Sequence, residues 1–384
     1  VKAGVRERLE GARDELIELS HRIHANPELG YEEEQASEWL SDYLDTAGFD
    51  VTKGVCDIPT AFVARYGSGP LHIAICAEYD CLPAVGHACG HNIIAAMGVG
   101  AGIAAAKVAD EAGLTISVMG TPAEEGGGGK ILMLERGAFE GVHASMMVHP
   151  APLDVVELPI IAADHFDVHY TGKEAHASAS PELGINAADA LTIAQTAIGM
   201  LRQHIKSSDR IHGIVTKGGD AANIVPAHTS AHFMVRAKTL GDLKEIREKV
   251  NRCFEAGALA TGATVEFEDS VHPYAEMHHD PAMAAIYKRN AEEAGRTFLD
   301  MGPLIDRGAA STDMGNVSLA MPSIHPAIGI DSLPAVNHQP EFTEHCVTPP
   351  ADEALFDGAL AMAWTCVDLA TDDEQRSRLT SGRV

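Results

Sequence analysis

The chain has 384 residues, 46% hydrophobic and 22% charged, with a formal charge of −27. That composition is globular and long enough for about two domains, and the acidic excess argues against a general nucleic-acid or anionic-membrane surface, because phosphate contacts need clustered Lys and Arg. No run approaches about eighteen apolar residues, no secretory leader precedes the first amphipathic stretch, and seven scattered cysteines fit a reducing compartment better than a disulfide framework, so a cytoplasmic protein is expected.

Apolar residues at Val5, Leu9, Leu16, Ile17 and Ile23 predict one amphipathic helix over 5–25, ended by Pro27; Ala36, Leu40, Tyr43 and Leu44 predict another over 32–47. The apolar runs 61–66 and 71–77 read as strands, the second buried on both faces. It ends at Glu78-Tyr79-Asp80, which puts acids at the carboxyl edge where sites gather in open α/β sheets. Next, His87-Ala88-Cys89-Gly90-His91-Asn92 sets a thiol and an imidazole two residues apart on a turn that Gly90 permits, and both are zinc-type donors. A small-residue helix over 93–108 and a strand over 114–120 deliver Thr121-Pro122-Ala123-Glu124-Glu125 to the same edge. Glycines 126–129 lead into a helix over 130–136, and a strand over 144–148 ends at His149-Pro150.

Each of these residues has an ordinary reading. A free Cys is usually core, an acid after a strand is usually a cap, Glu-Glu is usually a solvated pair, and His149 could be a satisfied core histidine. Asp80, Cys89, His91, Glu124, Glu125 and His149 converging on one sheet edge are better explained together, as a metal site.

From 164 the pattern changes. Strands at 165–170, 211–215, 229–237 and 264–267 with helices at 186–204 and 240–256 suit a two-layer α+β insert over 164–273, inside a discontinuous domain of 1–163 and 274–384. That domain resumes with a helix over 281–294, a Gly-, Asp- and Ser-rich segment over 300–315, an apolar run to His325-Pro326 and a last helix over 351–369. The polar tail from Thr371 is expected to fray.

These residues resemble the aminoacylase and glutamate-carboxypeptidase superfamily of dinuclear metal hydrolases. The likeness is to the amidohydrolase branch with auxin-conjugate, hippurate and p-aminobenzoyl-glutamate hydrolases and β-alanyl dipeptidases, and it runs from about Ile23 to Leu369. The resemblance implies an α/β catalytic domain with a central mixed sheet flanked by helices, carrying the smaller α+β insert as a lid and dimerisation domain. It implies Asp80, in Asp80-Cys81-Leu82-Pro83, as the residue that orients the site, Glu124 as general base, and Cys89, His91, Glu125 and His149 as ligands of two divalent ions, Zn²⁺ or Mn²⁺ with Co²⁺ or Ni²⁺ as alternatives. His338, in His338-Gln339-Pro340-Glu341-Phe342, completes the ligand set, with His325 as its competitor. In the insert, His176 resembles a residue that reaches a neighbouring subunit's site, and Asn223 and Arg236 resemble residues that hold substrate, so a homodimer through the insert is implied.

One departure bears on substrate. Where the auxin-type pattern reads Cys-Gly-His-Asp-x-His, this chain has Asn92 and Ile94, which disfavours an auxin-type substrate and removes a carboxylate beside His91. The expectation is a metal-dependent hydrolase of amide bonds in N-acyl amino acids or small dipeptides, p-aminobenzoyl-glutamate-like or β-alanyl dipeptide-like. Two rivals stand beside it: a catalytically silent metal-binding scaffold on the same fold, and a metal-free acyl hydrolase with Cys89 as nucleophile.

Overall fold

The computed structural model describes residues 1–269, 272–298 and 310–382, so the predicted segment 300–315 lies largely outside the described residues. The chain separates into two compact units, Val1–Pro159 with Met277–Val384, and Ile160–Glu276. In chain order the strands are Asp50–Lys53 (β1), Phe62–Tyr66 (β2), Leu71–Ala77 (β3), Leu114–Gly120 (β4), Ala144–Met146 (β5), His149–Ala151 (β6), Ala162–Thr171 (β7), Arg210–Lys217 (β8), His228–Ala237 (β9), Thr264–Asp269 (β10), Ser323–Ile324 (β11) and Ala327–Gly329 (β12).

The first unit is built on a mixed sheet in the order β1-β2-β4-β3-β5-β11. β3 runs parallel to β4 and β5, and β5 to β11, while β1 and β2 form an antiparallel flank. Every residue of β3 and β4 is buried, as continuous apolar runs in a sheet covered on both faces require. Helix His91–Ala106 is also buried at every position. It reaches the sheet because its residues are small: a Cβ at Gly102 would stand 2.2 Å from Val118 Cγ2. Helix Pro349–Thr371 is long and apolar enough to cross a membrane by length and composition alone. Its apolar residues, from Ala354 to Leu369, instead join the core of this unit.

Several boundaries differ from expectation for local reasons. The predicted helix over 5–25 is two, Lys2–Glu10 and Arg13–Ala25, broken where Gly11, a poor helix former, lets the chain turn at Ala12. Val5, Leu9, Ala12 and Leu16 remain buried, so one apolar stripe continues across the break. Strand β1 carries no apolar run because it is an edge strand that is mostly exposed. The tail does not fray at Thr371: Asp372 accepts hydrogen bonds from the Glu374 and Gln375 N–H groups and starts helix Asp373–Thr380, which Arg378 ties to Asp280 at 2.7 Å. The strand predicted over 144–148 stops at Met146, and the chain then pairs β6 in parallel with β12.

The second unit is a four-stranded antiparallel sheet in the order β10-β7-β9-β8. Helices Ala187–Leu201 and Leu240–Thr261 start at Asn186 and Thr239, whose side chains accept backbone N–H bonds. Phe166, Phe233, Val250 and Phe254 form the centre of this unit's core. The alternate residues of β7 and β9 are half-buried and carry His165, Asp167, His169, His228, His232 and Arg236.

Candidate metal centre and active site

β3 and β4 end side by side, and the segments that leave them meet at one place. Asp80, just beyond β3, is buried and uses both carboxylate oxygens: Oδ1 accepts from His91 Nδ1 at 2.9 Å, and Oδ2 accepts from the Glu125 N–H at 2.9 Å. One carboxylate therefore fixes both an imidazole and the Glu-Glu turn. It also supplies the support that the missing acid after His91 was expected to withdraw. Asn92 points elsewhere, its amide donating to Ser20 Oγ at 2.9 Å and to the Cys346 carbonyl at 3.1 Å.

Gly90 makes the cluster sterically feasible. Its φ is +79°, and a Cβ there would lie 2.4 Å from Pro150 Cγ, so glycine is needed both for the turn and for the close approach of the segment carrying His149. The Cys89 sulfur then lies 3.4 Å from His149 Nε2 and 3.4 Å from His338 Nε2. His338 Nε2 is 3.5 Å from Glu125 Oε1, and His91 Nε2 stands 3.5 Å from Glu78 Oε2 and 3.9 Å from both Glu124 Oε2 and Glu125 Oε1. Among the described residues three overlapping donor sets result: Cys89, His91 and His149; Cys89, Glu125 and His338; and Glu78, His91 and Glu124.

The donor chemistry fits divalent cations. His91 Nδ1 faces Asp80 and His149 Nδ1 faces the Pro150 carbonyl at 2.8 Å, so each imidazole presents the lone pair of Nε2 to the centre. His91 Nε2 and Glu125 Oε1 are buried and have no hydrogen-bond partner among the described residues. Lone pairs facing lone pairs in a buried site are what a cation resolves.

His325 takes another position. Its ring centroid is 5.6 Å from that of His149, but among the described residues both ring nitrogens are buried without hydrogen-bond partners and the residue joins none of the donor sets. His338, with its positive φ of 72°, is the C-terminal histidine brought to Cys89 and Glu125. His176, Asn223 and Arg236 belong to the second unit. There His176 pairs in a β-bridge with Ile224, beside Asn223, and Arg236 sits near the end of β9.

Burial holds both neighbouring acids, Glu124 and Glu125, above the ordinary carboxylate range. Burial, reinforced by Glu78 and Glu125, holds the Glu124 carboxyl well above the ordinary carboxylate range. Burial also pushes the Cys89 thiol well up, with Glu125 adding to it, which makes it a poor free nucleophile. His149 is lowered to about 4, chiefly by burial.

Sequence reasoning missed a fully buried ion triad beneath these groups. Lys130 Nζ donates to Glu78 Oε1 at 2.5 Å and to Asp313 Oδ1 at 2.7 Å, and the Lys130 N–H donates to Asp313 Oδ2 at 2.9 Å. A lysine at the first turn of a helix after four glycines reads as solvated; only the tertiary pairing reveals its place.

Residues 163–261 match a family described as a peptidase dimerisation domain. The chain is 38% identical to the Xaa-Arg dipeptidase of Mus musculus over 96% of this chain and 89% of that protein. The chain belongs to the M20 amidohydrolase superfamily. It is 34% identical to one of the p-aminobenzoyl-glutamate hydrolase subunits of Escherichia coli (strain K12), over 67% of this chain and 58% of that one. Its fold matches a dinuclear metal-binding peptidase of the M20 family from Bacillus subtilis, with a TM-score of 0.69 at 21% identity, covering 94% of this chain and 99% of the other. As a member of this superfamily the protein is a hydrolase of amide bonds, and its clustered Cys, His and Glu donors are of the kind that can hold a metal ion.

Proposed function

We propose that the protein cleaves small dipeptides or N-acyl amino acids at a two-metal centre held by Cys89, His91, Glu125, His149 and His338. The observation that carries this is the convergence of those donors on the buried Cys89, with Glu124 beside them. Bound divalent cations would supply Lewis-acid polarisation of the scissile carbonyl and a lowered pKa for the attacking water. Cys89 as a soft ligand favours zinc, and manganese, cobalt and nickel are the competing ions.

The chain's own groups perform the rest. Glu124 accepts the proton of the attacking water on a carboxylate oxygen and delivers it to the leaving amine nitrogen. Asp80 keeps the Nδ1 proton of His91 in place and holds the Glu125 main-chain amide, so the imidazole and the Glu-Glu turn keep their orientation as charge develops. Asn223 and Arg236 are assigned to the substrate's amide and carboxylate, and His176 to the carbonyl in a partner's site. A homodimer is supported by β8, an edge strand that exposes Ile214 and Val215 and leaves its outer backbone groups available for pairing.

Among substrates, the similarity to the mouse protein favours dipeptides ending in a basic residue, and the chain's −27 charge draws cations in preference to p-aminobenzoyl-glutamate. The test is metal content by elemental analysis with hydrolysis of Xaa-Arg, β-alanyl and p-aminobenzoyl-glutamate substrates before and after chelation. About two metals per chain and chelator-sensitive cleavage, fastest on the basic dipeptides, is expected. Folded protein that stays inactive with every metal contradicts the proposal.

A further inference from the structure

The reacting carboxylate assigned above sits on unusual backbone. Ala123, immediately before Glu124, has φ +57°, a left-handed conformation that costs an alanine about 1 kcal/mol or more. Something must hold it there. The Ala123 N–H donates to Glu33 Oε1 at 2.8 Å, in a buried contact ninety residues apart in the chain. Glu33 is itself 0% exposed.

Glu33 occupies the N-cap position of helix Glu34–Thr46, yet its side chain makes no capping bond. Glu28 does that work, accepting from the Gln35 and Ala36 N–H groups at 3.0 and 2.9 Å. The Glu33 carboxyl is turned inward instead. The rest of its loop packs the same way: a Cβ at Gly30 would lie 2.9 Å from Ala123 Cβ, and Tyr31 OH donates to the Gly127 carbonyl at 2.6 Å. On the far side of Glu124, the Glu125 N–H is held by Asp80 Oδ2 at 2.9 Å. Glu124 thus lies between two amides, each fixed by a separate buried carboxyl group.

We infer that Glu33 is a positioning residue for the catalytic base, acting through the Ala123 amide. This rests on the reading of Glu124 as base. The role is one of reach, since the Ala123 N–H needs an acceptor oxygen at 2.8 Å and an amide oxygen can accept the same bond.

Two mild variants separate reach from charge. Glu33→Gln keeps the acceptor and loses the charge; Glu33→Asp keeps the charge and shortens the arm by one methylene. With metal content equal to wild type, Glu33→Asp should lower kcat about 10- to 100-fold with KM within about twofold, the scale of a base displaced by about 1 Å, and Glu33→Gln should recover kcat to within about threefold of wild type. Hydrogen exchange should show a slow Ala123 amide in wild type and Glu33→Gln, and a faster one in Glu33→Asp.

The inference is overturned by wild-type kcat in Glu33→Asp, by a reversed order of the two variants, by a loss that tracks metal content or KM, or by a fast Ala123 amide in the wild type. A metal-loaded wild type that hydrolyses none of the substrates contradicts the base reading instead. The exchange rates of Ala123 then still decide whether Glu33 holds this turn.

Discussion

Strands β3 and β4 are buried at every position, so their chemistry is displaced onto the residues just beyond them, whereas β9 alternates half-buried and buried residues and carries its polar groups along one face. In the first case Asp80, Glu124 and Glu125 inherit a fixed direction from a parallel pair of buried strands and sit in a low-dielectric surrounding that couples them strongly. In the second, His232 and Asp167 meet at 3.0 Å with each side chain 42% exposed, where water screens what they do. The same residue types are therefore costly and exacting at the ends of one sheet and tolerant on the face of the other.

That contrast can be tested from its strongest consequence downward. Glu124→Gln should lower turnover by about 10²- to 10⁴-fold, the worth of a general base, with metal content unchanged by elemental analysis. Replacing Lys130 by Met leaves Glu78 and Asp313 buried without their cation, and urea unfolding should show a loss of about 3–5 kcal/mol. His72, on β3, is lowered to about 4 chiefly by burial, while in the unfolded chain it titrates near 6.5. The unfolded state takes up the proton first, so stability should fall as pH drops from about 6.5 towards 4. His72 accounts for up to about 2 kcal/mol of that loss at pH 5, and a His72→Gln variant should show a shallower decline. His232→Ala on the insert should change stability by no more than about 0.5 kcal/mol. An insert histidine as sensitive as Lys130 would break the distinction.

Much of the first unit could be read from the chain because continuous apolar runs announce buried strands: the limits of β3 and β4 are those predicted, Leu71–Ala77 and Leu114–Gly120. The Cys-Gly-His and Glu-Glu stretches were legible only jointly, because the ordinary reading of each one leaves unexplained why so many metal-type donors follow neighbouring strands. Choosing between His338 and His325 was not, since both lie in short turns and only their distances to Cys89 and Glu125 tell them apart. Lys130, Asp313 and Glu33 stayed hidden for a shared reason. Charged residues are normally solvated, and nothing local marks the ones whose partners come from elsewhere in the chain. The break at Gly11 and the helix started by Asp372 were missed because caps act over one turn and leave the apolar pattern unchanged.

The most direct test of the central claim is the metal content of Cys89→Ala set beside that of the wild type, with turnover measured on the same samples. The donor sets share Cys89 in two of three cases. About two ions per chain in the wild type, and loss of bound metal together with turnover in Cys89→Ala, is the predicted result. Full metal content and full activity without the thiol would contradict the account.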